Sequence, residues 1–149
     1  MKTNTYFESM TKTAEAYEAT REALKEKKRE IKNTYGWDSP EMKAWDAEKE
    51  ALKDPFTRGE WKALITWTRC EADELLLEDF CWEEETADFI ATLRKAGVQS
   101  FVTTDQSTGL MENIHGYIGA GCTLEGPTTI EKKTWRGKET LLGLRFRIN

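Results

Sequence analysis

A chain of 149 residues is long enough for one domain, or for one domain with an extension. Its formal net charge of -5 and pI near 5.1 exclude general binding to a nucleic-acid backbone, which needs a positive surface. Charged residues make up 33%, yet aromatic residues reach 11% with six Trp, and that combination excludes a disordered chain.

The first 34 residues carry one long helical pattern, from about residue 8. Met10, Tyr17, Leu24 and Ile31 recur every seven residues. The companion heptad position holds Phe7, Ala14, Arg21, Lys28 and Tyr35, so the seam is apolar only at its ends. A helix of this kind needs a partner stripe. The segment Thr34-Tyr35-Gly36-Trp37-Asp38-Ser39-Pro40 reads as a stop and a new start. Gly36 suits the left-handed cap, Asp38 or Ser39 the N-cap, and Pro40 the first turn. Met42, Trp45, Lys49 and Leu52 follow at helical spacing up to Asp54-Pro55, which predicts a helical hairpin over residues 1-54.

Residues 55-149 read as a compact α/β domain. Thr57-Arg58-Gly59-Glu60 matches a capping box. The stripe Trp61, Leu64, Ile65, Thr68, Ala72, Leu75 and Leu76 predicts a third helix reaching about Phe80. A fourth helix is expected from Glu83 to Lys95, with Gly97 beyond its end, and a strand at Gln99–Thr103. Ser107 or Thr108 opens a fifth helix that carries Leu110, Met111, Ile114, Tyr117 and Ile118. Cys122–Glu131 predicts a strand interrupted at Gly126-Pro127, hence an edge strand or a bulge. After a turn at Trp135–Lys138, Leu142, Leu144, Phe146 and Ile148 alternate with polar residues as a half-buried strand. The expected architecture is α+β or α/β, in the order αααα-β-α-β-β. Helices pack on a small three-stranded mixed sheet, with a parallel strand–helix–strand crossover and an antiparallel last strand.

Four features bear on function. Between Glu71 and Asp88 lie nine carboxylates and no Lys or Arg, with Glu71, Glu74, Glu78, Asp79, Glu83 and Glu84 the candidate partner-binding set beside Trp82. Such a tract is a solvated helix face, a docking surface for a basic partner, or an attractor of metal ions. The loop Thr103–Gly109 joins a strand to a helix N-terminus, where Thr104, Asp105, Ser107 and Thr108 are either turn and capping residues or donors to an anion. His115, the single imidazole, would have to serve any Ser/His or Cys/His mechanism. Lys132, Lys133, Arg136, Lys138, Arg145 and Arg147 gather around Trp135, either to stack a base or to keep a hairpin and an edge strand soluble. Cys70, Cys81 and Cys122 form no C-x-x-C pair, and with one His they do not compose a zinc finger. No metal, cofactor or catalytic set is therefore expected. No apolar run approaches the roughly 20 residues of a membrane span, and the first residues lack a signal-peptide core, so a cytoplasmic location is expected.

Residues 88–130 carry Phe89-Ile-Ala-Thr-Leu-Arg-Lys-Ala-Gly97, Ser100-Phe-Val-Thr-Thr-Asp-Gln-Ser-Thr108, Leu110-Met-Glu-Asn-Ile114 and Gly121-Cys-Thr-Leu124. This stretch resembles small uncharacterised proteins of mobile elements and phages of gut Firmicutes. The resemblance implies an accessory role in a bacterium, and genes of that kind often encode inhibitors of host defence. The leading expectation is a non-enzymatic inhibitor, anti-CRISPR-like, whose acidic helical surface docks on the basic surface of a host nucleic-acid-binding effector. Two alternatives stand beside it. One is an enzyme or small-ligand binder using Thr104, Asp105, Ser107, Thr108 and His115. The other is a self-assembling module in which the heptad stripe pairs between chains as a homodimer.

Overall fold

The computed structural model describes residues 3–149. The chain divides into two units, one of Ser9–Pro55 and one of the residues up to Glu8 with Phe56–Asn149.

The first unit is a helical hairpin made of most of α1 (Thr5–Tyr35) and all of α2 (Pro40–Ala51). Gly36 turns the chain at φ +86°, a left-handed conformation open to a residue without Cβ, and its N–H meets the carbonyls of Ile31 and Lys32. The Ser39 hydroxyl accepts from the Met42 N–H, and Pro40 supplies the first turn. Leu24, Met42 and Trp45 form the core, with Ile31 and Leu52 packed on it. The buried Trp45 indole N–H donates to the Leu24 carbonyl at 2.8 Å, which fixes one helix along the other. The exposed Trp37 ring lies under the Lys28 and Lys32 ammonium groups, at 5.5 and 4.8 Å. Leu24 and Ile31, two members of the predicted stripe, are thus used within the chain.

The second unit holds α3 (Arg58–Arg69), β1 (Leu75–Leu77), α4 (Glu83–Lys95), β2 (Ser100–Thr103), α5 (Leu110–Gly119), β3 (Cys122–Thr134) and β4 (Gly137–Ile148). The first turn of α1 is anchored here, where Phe7 stacks on Trp67 with ring centroids 5.2 Å apart. The sheet has four strands in the order β1-β2-β4-β3. β1 runs parallel to β2, while β4 is antiparallel to both β2 and β3.

Three expectations are corrected. The third helix ends at Arg69 rather than near Phe80, because Cys70 leaves the helical region at φ -68°, ψ 120°. Leu75, Leu76 and Leu77 then form a strand buried on both faces, so the sheet has four strands and not three. A strand of a parallel pair, covered on both sides, is uniformly apolar, and that composition also fits a helical stripe. The expected crossover also skips a strand: β4 lies between β2 and β3, and the adjacent parallel pair is β1-α4-β2. The Gly126-Pro127 interruption is a bulge in β3 between Leu124 and Gly126, on the edge of the sheet.

Phe101 on β2 and Phe146 on β4 are register partners, so their rings share one face, stacked at 5.5 Å. Phe89 of α4 and Tyr117 of α5 meet Phe101 edge-on at 5.9 and 5.2 Å. These four rings are fully buried. On the opposite face Glu74, Leu76 and Glu78 project together, two residues apart. The β3–β4 hairpin reaches this segment: the Lys133 N–H donates to the Glu71 carbonyl, and Ala72 bridges Lys132. Chain from the outer edge strand therefore meets the residues that lead into β1, and the two edges of the sheet close on each other at one point.

The α3–α4 packing depends on Gly59. A Cβ there would collide with the Glu85 carbonyl oxygen and would lie 2.7 Å from the Phe89 nitrogen, both backbone atoms of α4. Gly59→Ala should therefore cost roughly 1–3 kcal/mol, as overpacking does elsewhere. Gly119→Ala, where the same atom meets open space, should be neutral or slightly stabilising. Urea unfolding of the two variants reads the difference.

Candidate functional site

The acidic tract divides into two groups. Glu74 holds Arg145 through two parallel hydrogen bonds of 3.0 and 2.6 Å. Glu78 accepts from Lys132 at 2.8 and 2.9 Å, and this contact holds the Lys132 ammonium above the ordinary lysine range. Lys62 stands 3.7 Å from both Asp79 and Glu85, in a cavity of about 470 Å³ between α3 and β1, so that cavity supplies its cation with the chain's own anions. Glu85 is buried and accepts from the Trp82 N–H at 3.1 Å, which caps α4. Glu83 and Glu84, in the first turn of α4, are exposed and make no ion pair among the described residues. The single acidic helix surface expected for Glu71–Glu84 is thus corrected. Glu71 and Glu74 precede β1, Glu78 and Asp79 follow it, and only Glu83 and Glu84 sit on a helix.

The Thr103–Gly109 loop bonds to itself. Asp105 accepts from the Ser107 N–H at 3.0 Å and from the Ser107 hydroxyl at 2.7 Å. The Ser107 hydroxyl oxygen in turn accepts from the Gly109 N–H at 3.3 Å. The Thr104 N–H goes to the Leu77 carbonyl and extends the β1–β2 pairing. The N-cap of α5 is Gly109, without a side-chain cap, so Ser107 and Thr108 shape the approach rather than cap the helix. His115 lies on the exposed side of α5 and makes no hydrogen bond among the described residues.

The structure instead draws Trp82, Glu83, Glu84 and His115 together. They line a groove of about 760 Å³ between the N-terminal turn of α4 and the outer side of α5. Met111 and Glu112 contribute from α5. Trp82 is 55% exposed and Met111 74%, and the Phe80 ring meets the Trp82 indole edge-on at 4.7 Å. The lining is mixed, with Phe80, Trp82, Ala87 and Met111 as its apolar side chains and Glu83, Glu84 and Glu112 as its carboxylates.

A buried polar network holds this geometry. The Asn113 side-chain oxygen accepts from the Cys81 N–H at 2.8 Å and from the Tyr117 hydroxyl at 3.1 Å. Its amide donates to the Gly109 carbonyl at 2.9 Å. The Thr86 hydroxyl donates to the Trp82 carbonyl at 3.0 Å and has Cys81 Sγ 3.5 Å away. The loop carrying Trp82 is thereby tied to α5 and to the first turns of α4. Burial pushes the Cys81 and Cys122 thiols above the ordinary cysteine range, so both stay protonated at neutral pH and neither is a poised nucleophile. Among the described residues no group of three or more His, Cys, Asp or Glu is arranged to hold a metal ion, and no helix is long and apolar enough to cross a membrane.

Asn113, Met111 and Glu112 were not in the expected site. One signal was available for Asn113: it stands four residues before Tyr117, a polar side chain on the packing face of an apolar helix.

A family profile described as a domain of unknown function, DUF7698, matches residues 61–148. The chain belongs to this family. The matched DUF7698 region runs from within α3 to the last residue of β4, so it takes in both walls of the groove and leaves out the helical hairpin. No curated protein and no solved structure matches the chain.

Asn113→Leu should leave the buried Cys81 N–H unpaired and lower stability by about 1–3 kcal/mol. The wild-type thiols should react slowly with a disulfide reagent, and in this variant labelling of Cys81 should accelerate, as read by mass spectrometry.

Proposed function

We propose that this DUF7698 chain is a non-enzymatic binding protein whose α4–α5 groove docks a basic, apolar-bearing segment of a partner protein. The observation that carries the reading is the co-location, in one groove, of two exposed large apolar side chains, Trp82 and Met111, with carboxylates that make no ion pair among the described residues. A Trp face and nearby carboxylates suit a Lys or Arg side chain twice over, through cation–π contact and ion pairing. Exposed Trp is characteristic of binding hot spots, and Met lends a surface that adapts to its partner.

The resemblance of residues 88–130 to mobile-element and phage proteins supports a bacterial host as the source of the partner. A host effector that targets nucleic acid presents a basic surface by necessity, and an inhibitor of such an effector, anti-CRISPR-like, is the role that this groove and the overall charge of -5 favour. An enzyme built on the Thr103–Thr108 loop gains no support, since the polar groups of Asp105 and Ser107 are spent on each other.

Selection from a displayed library of short peptides tests the reading. Enriched peptides should combine Lys or Arg with an aromatic or aliphatic anchor. Their affinity should drop by about tenfold or more on Glu83→Lys with Glu84→Lys, a loss of the size expected for reversed interface charges. Asp73→Lys, on an exposed carboxylate outside the groove, should bind as wild type. Equal binding by all three proteins, or no enrichment at all, would remove the groove as a docking site.

A further inference from the structure

One feature of the second unit has the opposite chemistry to the groove. The β3–β4 hairpin ends in a two-residue turn, Trp135-Arg136, between the paired residues Thr134 and Gly137. Trp135 is 87% exposed, and the Arg136 guanidinium lies 4.5 Å from its ring centroid. Lys133 and Arg136 have no ion pair among the described residues, and Lys138 is a loose 3.8 Å from Glu131. The tip does not swing freely. β2 pairs with β4 only at Leu144–Arg147, but the distal hairpin is held by the Lys133–Glu71 backbone bond and the Lys132–Glu78 ion pair. A Trp so exposed, stacked under a cation and presented by a pinned hairpin, is a preorganised anchor.

We propose that the Trp135-Arg136 tip of one copy of this chain docks in the α4–α5 groove of a second copy. The inference rests on the reading of that groove as a protein-docking site, and it names an occupant. The two tip cations that have no ion pair among the described residues, Lys133 and Arg136, match in charge the groove carboxylates Glu83, Glu84 and Glu112. Each side contributes a Trp, so the tip's ring and guanidinium meet Trp82 and Met111 in the groove. Nucleic acid is the weaker occupant of the tip. Glu131 stands 3.8 Å from Lys138, Glu139 lies among the tip residues, and a net charge of -5 repels a polyanion at long range. Self-docking would cover the groove until a stronger basic partner displaces the tip, which couples the oligomeric state to partner binding by mass action.

Sedimentation of the full chain over a range of concentrations, at low and high salt, provides the test. The wild type should associate, and high salt should weaken the association. Trp135→Ala with Arg136→Glu removes the tip, and Glu83→Lys with Glu84→Lys removes the rim. Either double variant alone should associate on the order of tenfold more weakly. Mixed together they should form a heterodimer, because each supplies the half that the other lacks. That complementation also shows that both variants are folded. A wild type that stays monomeric, a variant that associates undiminished, a mixture without heterodimer, or oligo(dT) captured by the tip would each overturn the proposal. If the wild type is monomeric but still binds the selected peptides, only self-docking fails. If the peptides do not bind either, the groove reading fails with it.

Discussion

The second unit is organised by the ring of Phe101. It sits at the centre of β2 and touches an aromatic side chain from α4, from α5 and from β4, so one residue sets the distance of two helices from the sheet. One of its contacts, Tyr117, brings a hydroxyl into the interior, and burial pushes that group well above the ordinary tyrosine range. A buried hydroxyl needs a partner, since leaving it unmade costs more than the bond contributes. Asn113 provides it one helical turn away, and with the same oxygen holds the Cys81 N–H. The position of the Trp82 loop thus follows from the need to satisfy one polar group inside an aromatic core.

The electrostatics follow from periodicity. Glu74 and Glu78 flank a strand and fall on the same face as Leu76, where Arg145 and Lys132 meet them. Glu83, Glu84 and Glu85 fall in the first turn of a helix, where the dipole favours negative charge whatever lies opposite. Of these three, Glu85 turns back to cap the helix and meets Lys62, while the other two point outward. The acid excess is therefore not a uniform face. Glu74 and Glu78 are paired beside the sheet, while Glu83 and Glu84 at the groove make no ion pair among the described residues.

Much of the punctuation was legible in the sequence. Gly36, Ser39-Pro40, the Thr57–Glu60 box and Gly126-Pro127 each mark a local event decided by a few neighbouring residues, and the structure has a cap, a turn or a bulge at each. β1 was not legible, because Leu75-Leu76-Leu77 continues the helical spacing of Leu64 and Thr68, and only pairing with Phe101–Thr103 makes it a strand. The strand order was hidden for a related reason: nothing near β4 in sequence announces that it inserts between β2 and β3. The site was half legible. Trp82, Glu83, Glu84 and His115 were recognisable by residue type, but they belonged to two separate expectations, and their convergence is a property of how α4 and α5 pack.

The closure of the sheet narrows how this fold can recognise a partner. An open edge invites an extended peptide to add as a strand. Here β1 is three residues long, and the far edge is engaged where Lys133 meets Glu71 and is bent by the bulge near Gly126. Backbone pairing is thus limited by length at β1 and interrupted at the Gly126 bulge and the Lys133 contact along β3. What the second unit displays is side-chain chemistry: an acidic, aromatic groove on α4 and α5 and a basic, aromatic tip on the hairpin. Under the proposed docking, such contacts would be read through charge and shape, and their specificity would depend on a few groove and tip residues rather than on the sheet that carries them.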